Sequence, residues 1–256
     1  MTLEDHLRDR RERGAKLLVP YVTGGYDDDW LDVIRAVADA GADAIEIGIP
    51  FSDPVMDGPV IQEASEQSLR RGSTPQSILI ALADLDAGIP LAVMLYYNTV
   101  FHMGHERFAH QLNTAGVAAA IVPDLPLEEV APWAVAADDA GIETVMLAAP
   151  TAPDERLPRI CERARGFVYA VGLLGVTGER TSLAASATVI AGRLKAVTDK
   201  PVLIGVGVGT PAQAVEASAV ADGVVVGSAL VRRLLEGAGP EGAASFVAEL
   251  RTALDA

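Results

Sequence analysis

The sequence contains few cysteines and few basic residues. Cys161 is the only cysteine among 256 residues, and 20 lysines and arginines stand against 35 aspartates and glutamates. A single cysteine excludes a disulfide within the chain and favours a reducing compartment. The formal net charge of −15 disfavours binding to nucleic acids or to anionic membranes. An anionic ligand would therefore need a local site, such as a group of backbone N–H donors.

Long hydrophobic runs are also missing, although half of the residues are hydrophobic. No run approaches the ~20 apolar residues of a membrane span, and the first twenty residues lack the apolar core of a signal peptide. We therefore expect a soluble, cytoplasmic protein. His102 and His105 are spaced as metal ligands can be, but no cysteine or carboxylate is arranged around them. The sequence thus predicts no metal and no other cofactor.

Short apolar runs alternate with amphipathic stretches that end at a glycine, which predicts parallel strands connected by helices. Eight strands in a chain close to the ~250 residues of one barrel favour a single (β/α)8 TIM barrel domain over residues 1–256. An open doubly wound sheet is the alternative, but Thr23-Gly24-Gly25-Tyr26 lacks the glycine pattern of a dinucleotide site. The predicted strands span residues 17–22, 43–49, 90–96, 118–122, 143–148, 167–171, 201–205 and 223–227. The predicted helices include residues 29–40, 59–71, 75–87, 106–115, 127–140 and 240–256, with an extra N-terminal helix at 2–13 that caps the lower mouth.

Three carboxylates lie at or just after the second predicted strand. Glu46 sits between Ile45 and Ile47, so strand alternation turns it towards the barrel mouth while the isoleucines face the helices. A carboxyl group in that position is partly desolvated, which raises its pKa towards the range useful for general acid–base catalysis. The stiff, proline-rich loop that follows carries Asp53, typical of an ordinary turn, and Asp57. Asp57 precedes the next helix, where it could cap the helix or face the site.

Glycine-rich segments follow the last three predicted strands, at residues 175–178, 205–209 and 227–228. The loops after strands seven and eight are the usual phosphate site of such barrels. Backbone N–H groups and a helix N-terminus can hold the anion without lysine or arginine. Ser228 can add a hydroxyl group and is predicted to be the N-cap of a helix at residues 229–235.

Five motifs of the chain are distinctive when taken together. They are Glu46-Ile47-Gly48-Ile49-Pro50-Phe51-Ser52-Asp53-Pro54, Asp57-Gly58-Pro59, Tyr96-Tyr97-Asn98, Gly175-Val176-Thr177-Gly178 and Gly227-Ser228. With these motifs the chain resembles the tryptophan synthase alpha subunit family, from about Leu3 to Leu254. The resemblance implies a retro-aldol cleavage of indole-3-glycerol phosphate into indole and glyceraldehyde 3-phosphate in tryptophan biosynthesis. It also implies a pyridoxal-phosphate beta subunit as partner, in an alpha2beta2 assembly.

The same resemblance assigns roles to individual residues. It implies that Glu46 is the acid–base group, that Asp57 accepts a hydrogen bond from the indole N–H, and that Tyr169 belongs to the active site. It makes the loop after strand six the lid of the site. The residues around the indole would be Tyr21, Ile61, Tyr96 and Ile121. The phosphate site would include Thr177, Gly178, Gly207, Gly227 and Ser228. The partner interface would include Asp53, Pro54, Asn98 and Pro126.

The chain also departs from the family pattern. Leu173 and Leu174 precede the first glycine cluster, at residues 175–178, where many bacterial members are more polar. Val206 replaces a common aromatic residue, and Tyr21 stands where phenylalanine is frequent. These changes leave open a stand-alone lyase that releases free indole. A non-catalytic activator of a beta subunit is a further alternative, although retention of Glu46 and Asp57 argues against it. A phosphosugar isomerase on the same barrel would give the Pro50–Pro59 block no role.

Overall fold

The strands form a closed parallel barrel. The computed structural model describes residues 2–172, 185–205 and 207–256. In these ranges eight strands pair in chain order, and the first pairs with the last to close the barrel. The predicted (β/α)8 barrel is thereby confirmed. The strands are β1 (Leu17–Thr23), β2 (Ile45–Gly48), β3 (Leu91–Met94), β4 (Ala119–Ile121), β5 (Glu143–Ala148), β6 (Val168–Ala170), β7 (Val202–Ile204) and β8 (Gly223–Val226).

Helices cover the outside of the barrel. None of those in the described ranges is long and apolar enough to cross a membrane. The helices are α1 (Leu3–Glu12), α2 (Trp30–Asp39), α3 (Pro59–Arg70), α4 (Pro75–Ala83), α5 (Tyr97–Met103), α6 (His105–Thr114), α7 (Ala131–Asp139), α8 (Leu157–Arg163), α9 (Ala185–Lys195), α10 (Pro211–Ser218), α11 (Ser228–Leu235) and α12 (Gly239–Leu254). A short 3-10 helix, Asp154–Arg156, precedes α8.

Strand alternation divides the apolar residues between two cores. Leu17 and Val19 of β1 pack inside the barrel, whereas Leu18 packs with residues of the surrounding helices. In β2, Ile45 and Ile47 belong to that outer core. Glu46 between them therefore shares the inner face, as predicted.

Helix α1 closes the barrel at the N-terminal ends of the strands. Leu3 and Leu7 are fully buried and pack with Phe167 and other inward residues. The Glu143 carboxylate, at the first position of β5, accepts the backbone N–H of Glu4 at 3.1 Å. The predicted capping helix is thereby confirmed.

Two buried aspartates stabilise the same end of the barrel. Asp43, just before β2, accepts the N–H of Leu18 at 2.8 Å and pairs with Arg10 at 2.6 Å. Asp222, just before β8, accepts the N–H of Val202 at 2.8 Å and pairs with Lys195. Each carboxylate thus joins its own strand to the preceding one, and each is compensated by a cation.

Two predicted helices differ most from those observed. The helix predicted at 75–87 ends at Ala83, because the residues that follow form a turn in which Asp86 accepts the Gly88 N–H at 3.0 Å. The helix predicted at 127–140 begins only at Ala131. Before it, the Glu129 N–H bonds to the Pro126 carbonyl in a separate turn. Helix α5 lies in a segment for which no helix was predicted.

Closure of the barrel depends on Gly223, the first residue of β8. A Cβ there would overlap the carbonyl oxygen of Leu17, which pairs with it. We expect Gly223→Ala to lower the free energy of unfolding by about 1–3 kcal/mol, measured by chemical denaturation. The control is Gly192→Ala in α9, where a Cβ would make only an ordinary contact with Val220 and where alanine should stabilise the helix by about 0.5–1 kcal/mol. Equal stability of the two variants would contradict this view of the β1–β8 junction.

Candidate active site

Glu46 is a buried carboxyl group at the C-terminal end of the barrel. It pairs in register with Tyr21 of β1 and Ala92 of β3, and only 1% of its surface is exposed. Its Oε2 atom has no hydrogen-bond partner among the described residues. Burial, together with the nearby Asp57 charge, raises the pKa of Glu46 to about 8. Glu46 is therefore mainly protonated at neutral pH.

Asp57 faces the same centre from the loop between β2 and α3. Helix α3 begins at Pro59, its cap position is Gly58, and no side chain caps it. Of the two roles left open by the sequence, the structure thus favours facing the site over capping. Asp57 is buried, and burial raises its pKa to about 6, although a hydrogen bond from Tyr96 acts in the opposite direction. Between about pH 6 and about pH 8, Asp57 is therefore mainly ionised while Glu46 is mainly protonated.

Three tyrosines complete the polar centre. Tyr21 lies over Gly48, where a Cβ would overlap its hydroxyl group, and Tyr169 lies over Gly205 in the same manner. Burial raises the pKa of both phenols well above the ordinary value, with further contributions from the charges of Asp57 and Glu46. Tyr96 is buried beside them and accepts the Met56 N–H at 3.0 Å.

Apolar side chains line the mouth between these polar groups. Ile61 packs in a cluster with Tyr21 and Val231, and Ile121 packs in the inner core with Tyr169. Met94, at the end of β3, contacts both clusters and pairs in register with Gly48 and Ile121. The structure therefore brings the residues expected around the indole together with Glu46 and Asp57.

The expected phosphate residues are described only in part. Gly207 has φ +82°, a conformation that favours glycine. Helix α11 begins at Ser228, and its cap position is Gly227. The prediction that Ser228 is the N-cap was therefore wrong: Ser228 is the first helical residue. Its N–H belongs to the first turn, whose N–H groups have no partner within the helix. The remaining predicted members, Thr177 and Gly178, lie outside the described residues, as do the predicted lid, Leu173, Leu174 and Val206.

The predicted partner residues lie on the rim formed by the loops after β2, β3 and β4. Asp53, Asn98 and Pro126 are exposed, and Pro54 is half-buried. Two apolar side chains on these segments are also exposed, Val55 by 71% and Phe101 by 69%. Single exposed apolar side chains are common on protein surfaces, so these two do not by themselves define an interface.

A cavity of about 460 Å3 opens beside this rim. Val55, Met56 and Pro126 line its outer part, and Trp133 and Met146 line the space between the strands and helices α7 and α8.

Among the residues that the structure describes, no three His, Cys, Asp or Glu side chains are grouped as a metal site would require.

Fold and site together define a (β/α)8-barrel enzyme with two buried carboxyl groups at the C-terminal ends of its strands. A family model described as "Tryptophan synthase alpha chain" matches residues 7–254. The tryptophan synthase alpha chain of Streptomyces coelicolor is 41% identical, with 97% of this chain and 94% of the relative covered. The alpha chain of Thermobifida fusca is 42% identical, with 91% and 89% covered. A structure of Mycobacterium tuberculosis tryptophan synthase superimposes with a TM-score of 0.91 at 38% identity, covering 98% of this chain and 97% of that chain.

The chain belongs to the tryptophan synthase alpha chain family. It is a lyase of tryptophan biosynthesis, of the class that cleaves indole-3-glycerol phosphate. The family resemblance and the enzyme class predicted from the motifs are thereby confirmed.

Sequence reasoning missed Met94 as a contributor to the site. Strand alternation could have found it, because it lies two residues after the inward-facing Ala92. Gly48 and Gly205 were placed in motifs by the sequence, but their contact with the tyrosine rings was not predicted. They matter because the Tyr21 and Tyr169 rings occupy the space that a side chain would fill.

Burial of Glu46 should make stability depend on pH. Its pKa rises from 4.5 to about 8 on folding, so its stabilising contribution is fully present below pH 4.5 and is lost as the pH rises through about 8. Glutamine cannot ionise. As the pH rises from about 5 to about 9, the free energy of unfolding of Glu46→Gln should therefore decrease less than that of the wild type. Denaturant unfolding across this range measures the difference. Glu106→Gln, on the exposed side of α6, should follow the wild type, and parallel curves for all three proteins would contradict a buried, raised-pKa Glu46.

Proposed function

We propose that Glu46 and Asp57 carry out the retro-aldol cleavage of indole-3-glycerol phosphate. The observation that supports this most is the pairing of two buried carboxyl groups with different pKa values, about 8 and about 6. Between these values one group holds a proton while the other is ionised. A lyase that works by proton transfer needs a proton donor, and an ionised carboxylate beside it can stabilise the positive charge that forms on the substrate.

In the proposed reaction Glu46 first gives its proton to C3 of the indole ring, which places positive charge on the ring nitrogen. The Asp57 carboxylate accepts a hydrogen bond from the ring N–H and stabilises that charge. The Glu46 carboxylate then takes the proton of the glycerol hydroxyl group on the carbon attached to the ring. The carbon–carbon bond breaks, its electron pair restores the aromatic ring, and the hydroxyl carbon becomes the aldehyde of glyceraldehyde 3-phosphate. Glu46 ends protonated, so the protons balance.

The other predicted residues bind and orient the substrate. Tyr21, Ile61, Tyr96 and Ile121 surround the indole, and Tyr169 lies beside Glu46. The first turn of α11, with Ser228 and Gly227, supplies backbone N–H donors for the phosphate together with Gly207. This arrangement suits a chain of net charge −15, because it attracts an anion without lysine or arginine. The resemblance adds Thr177 and Gly178 to the same site.

We further propose a tryptophan synthase beta subunit as partner, in an alpha2beta2 assembly, on the rim that carries Asp53, Pro54, Asn98 and Pro126. Val55 and Phe101 add two exposed apolar side chains to these segments. The crystal structures of tryptophan synthase from Mycobacterium tuberculosis, which the chain resembles over nearly its whole length, support the proposed partner. The buried single cysteine Cys161 supports a reducing, cytoplasmic setting.

The carboxyl pair is tested by two isosteric variants. Glu46→Gln removes the proton donor and should lower kcat for indole release by at least about a hundredfold. Asp57→Asn removes the stabilising charge and should lower kcat by about a hundred- to a thousandfold. Glu106→Gln is the matched control and should keep the wild-type rate. Near-normal turnover in either site variant, with folding verified by circular dichroism, would remove that residue from the mechanism.

The partner is tested by measuring indole release from indole-3-glycerol phosphate by the purified chain, alone and with a beta subunit. We expect slow release by the chain alone and a large increase on addition of the partner, because the partner-facing loop also carries Asp57. Fast release that the partner leaves unchanged would indicate a stand-alone lyase. No release under either condition would overturn the proposed reaction and favour a non-catalytic activator or an isomerase.

A further inference from the structure

Tyr96 links the end of β3 to the loop that carries Asp57. Only 4% of its surface is exposed, and it occupies the cap position of α5. Its hydroxyl oxygen accepts the backbone N–H of Met56, 40 residues earlier in the chain, at 3.0 Å. The residue before Asp57 is therefore held in place by a side chain from the neighbouring strand.

The same hydroxyl group also influences the Asp57 carboxyl group. A phenol that accepts one N–H still has its own proton to donate. Hydrogen bonding from Tyr96 lowers the pKa of Asp57 and so opposes burial, which raises it and is the larger effect. Among the described residues, the other titratable groups that influence or feel the Asp57 charge are Glu46 from β2, Tyr21 from β1 and Tyr169 from β6.

Phe51 fixes the Tyr96 ring from the other side. The two rings stack with their centroids 5.2 Å apart and their planes at 28°. Phe51 belongs to the same loop as Met56 and Asp57, so Tyr96 contacts this loop at both of its ends. An aromatic pair of this kind adds to the stability given by burial alone.

We propose that Tyr96 is a positioning residue for Asp57: through the Met56 N–H and the Phe51 ring it fixes the loop that presents the carboxylate, in addition to any contact that its ring makes with the indole. This inference rests on the proposed function of Asp57. The Tyr96 hydroxyl group would thus affect catalysis through Asp57. For binding an aromatic substrate, the ring alone would suffice. It also assigns Phe51 to the support of Tyr96.

The test is Tyr96→Phe, which removes the hydroxyl group and keeps the ring on Phe51. Because a hydrogen bond to a charged group is lost, we expect kcat to fall by about ten- to a hundredfold with little change in KM. The acidic limb of the kcat profile, expected near pH 6 from Asp57, should move to higher pH. Tyr97→Phe is the matched control: its hydroxyl group bonds His105 at 3.0 Å, outside the centre, and its removal should leave the profile unchanged.

A second measurement does not depend on turnover. The Asp57 carboxyl is followed by 13C NMR in protein labelled at aspartate, with its resonance assigned from Asp57→Asn, and its titration midpoint should rise in Tyr96→Phe. A raised midpoint in a chain that shows no lyase activity would keep this inference while the proposed reaction fails. Phe51→Leu keeps the hydroxyl group and should shift the midpoint in the same direction by a smaller amount. An unchanged midpoint in Tyr96→Phe, together with a raised KM and an unchanged kcat, would reduce Tyr96 to a substrate contact and overturn the proposal.

Discussion

Two carboxyl groups share the apolar mouth of the barrel, and the cost of charging them both orders the rest of the site. Glu46 and Asp57 are too close and too deeply buried to be ionised together at little cost. Burial raises both pKa values, the Asp57 charge raises that of Glu46 further, and hydrogen bonding from Tyr96 lowers that of Asp57. Between about pH 6 and about pH 8 the charge is therefore on Asp57 and the proton on Glu46. The proposed roles of acid and electrostatic stabiliser follow from this difference.

The opposite end of the barrel treats its buried carboxylates differently. Asp43 and Asp222 each bond a backbone N–H and a cation, so their charge is compensated and contributes to a rigid base. Paired carboxylates stabilise a structure only while both partners remain. The two carboxylates that pair with cations therefore lie where the strands begin. Glu46, whose Oε2 atom has no partner among the described residues, lies where the strands end. This division agrees with the general placement of chemistry at the C-terminal ends of barrel strands.

Much of this arrangement could be predicted from the sequence, because it depends on local patterns. The eight strands are visible as apolar runs, and the inward direction of Glu46 follows from its place between Ile45 and Ile47. The contacts that cross between elements could not be predicted. The bond between Tyr96 and the Met56 N–H joins residues 40 positions apart, and nothing near Tyr96 in the chain encodes it. The end of α4 at Ala83 and the start of α11 at Ser228 depended on turn and cap geometry, which composition describes poorly.

Gly48 and Gly205 leave the floor of the site to bare backbone, with the Tyr21 and Tyr169 rings lying on it. The residue at each glycine position and the residue at its tyrosine position can therefore change only together. A side chain can appear at Gly48 only if the residue at position 21 becomes smaller or turns away, and the same applies to positions 205 and 169. Evolution of the pocket towards a different substrate would thus have to pass through coordinated double replacements. The barrel can vary its outer loops one residue at a time, whereas this floor can change only in pairs.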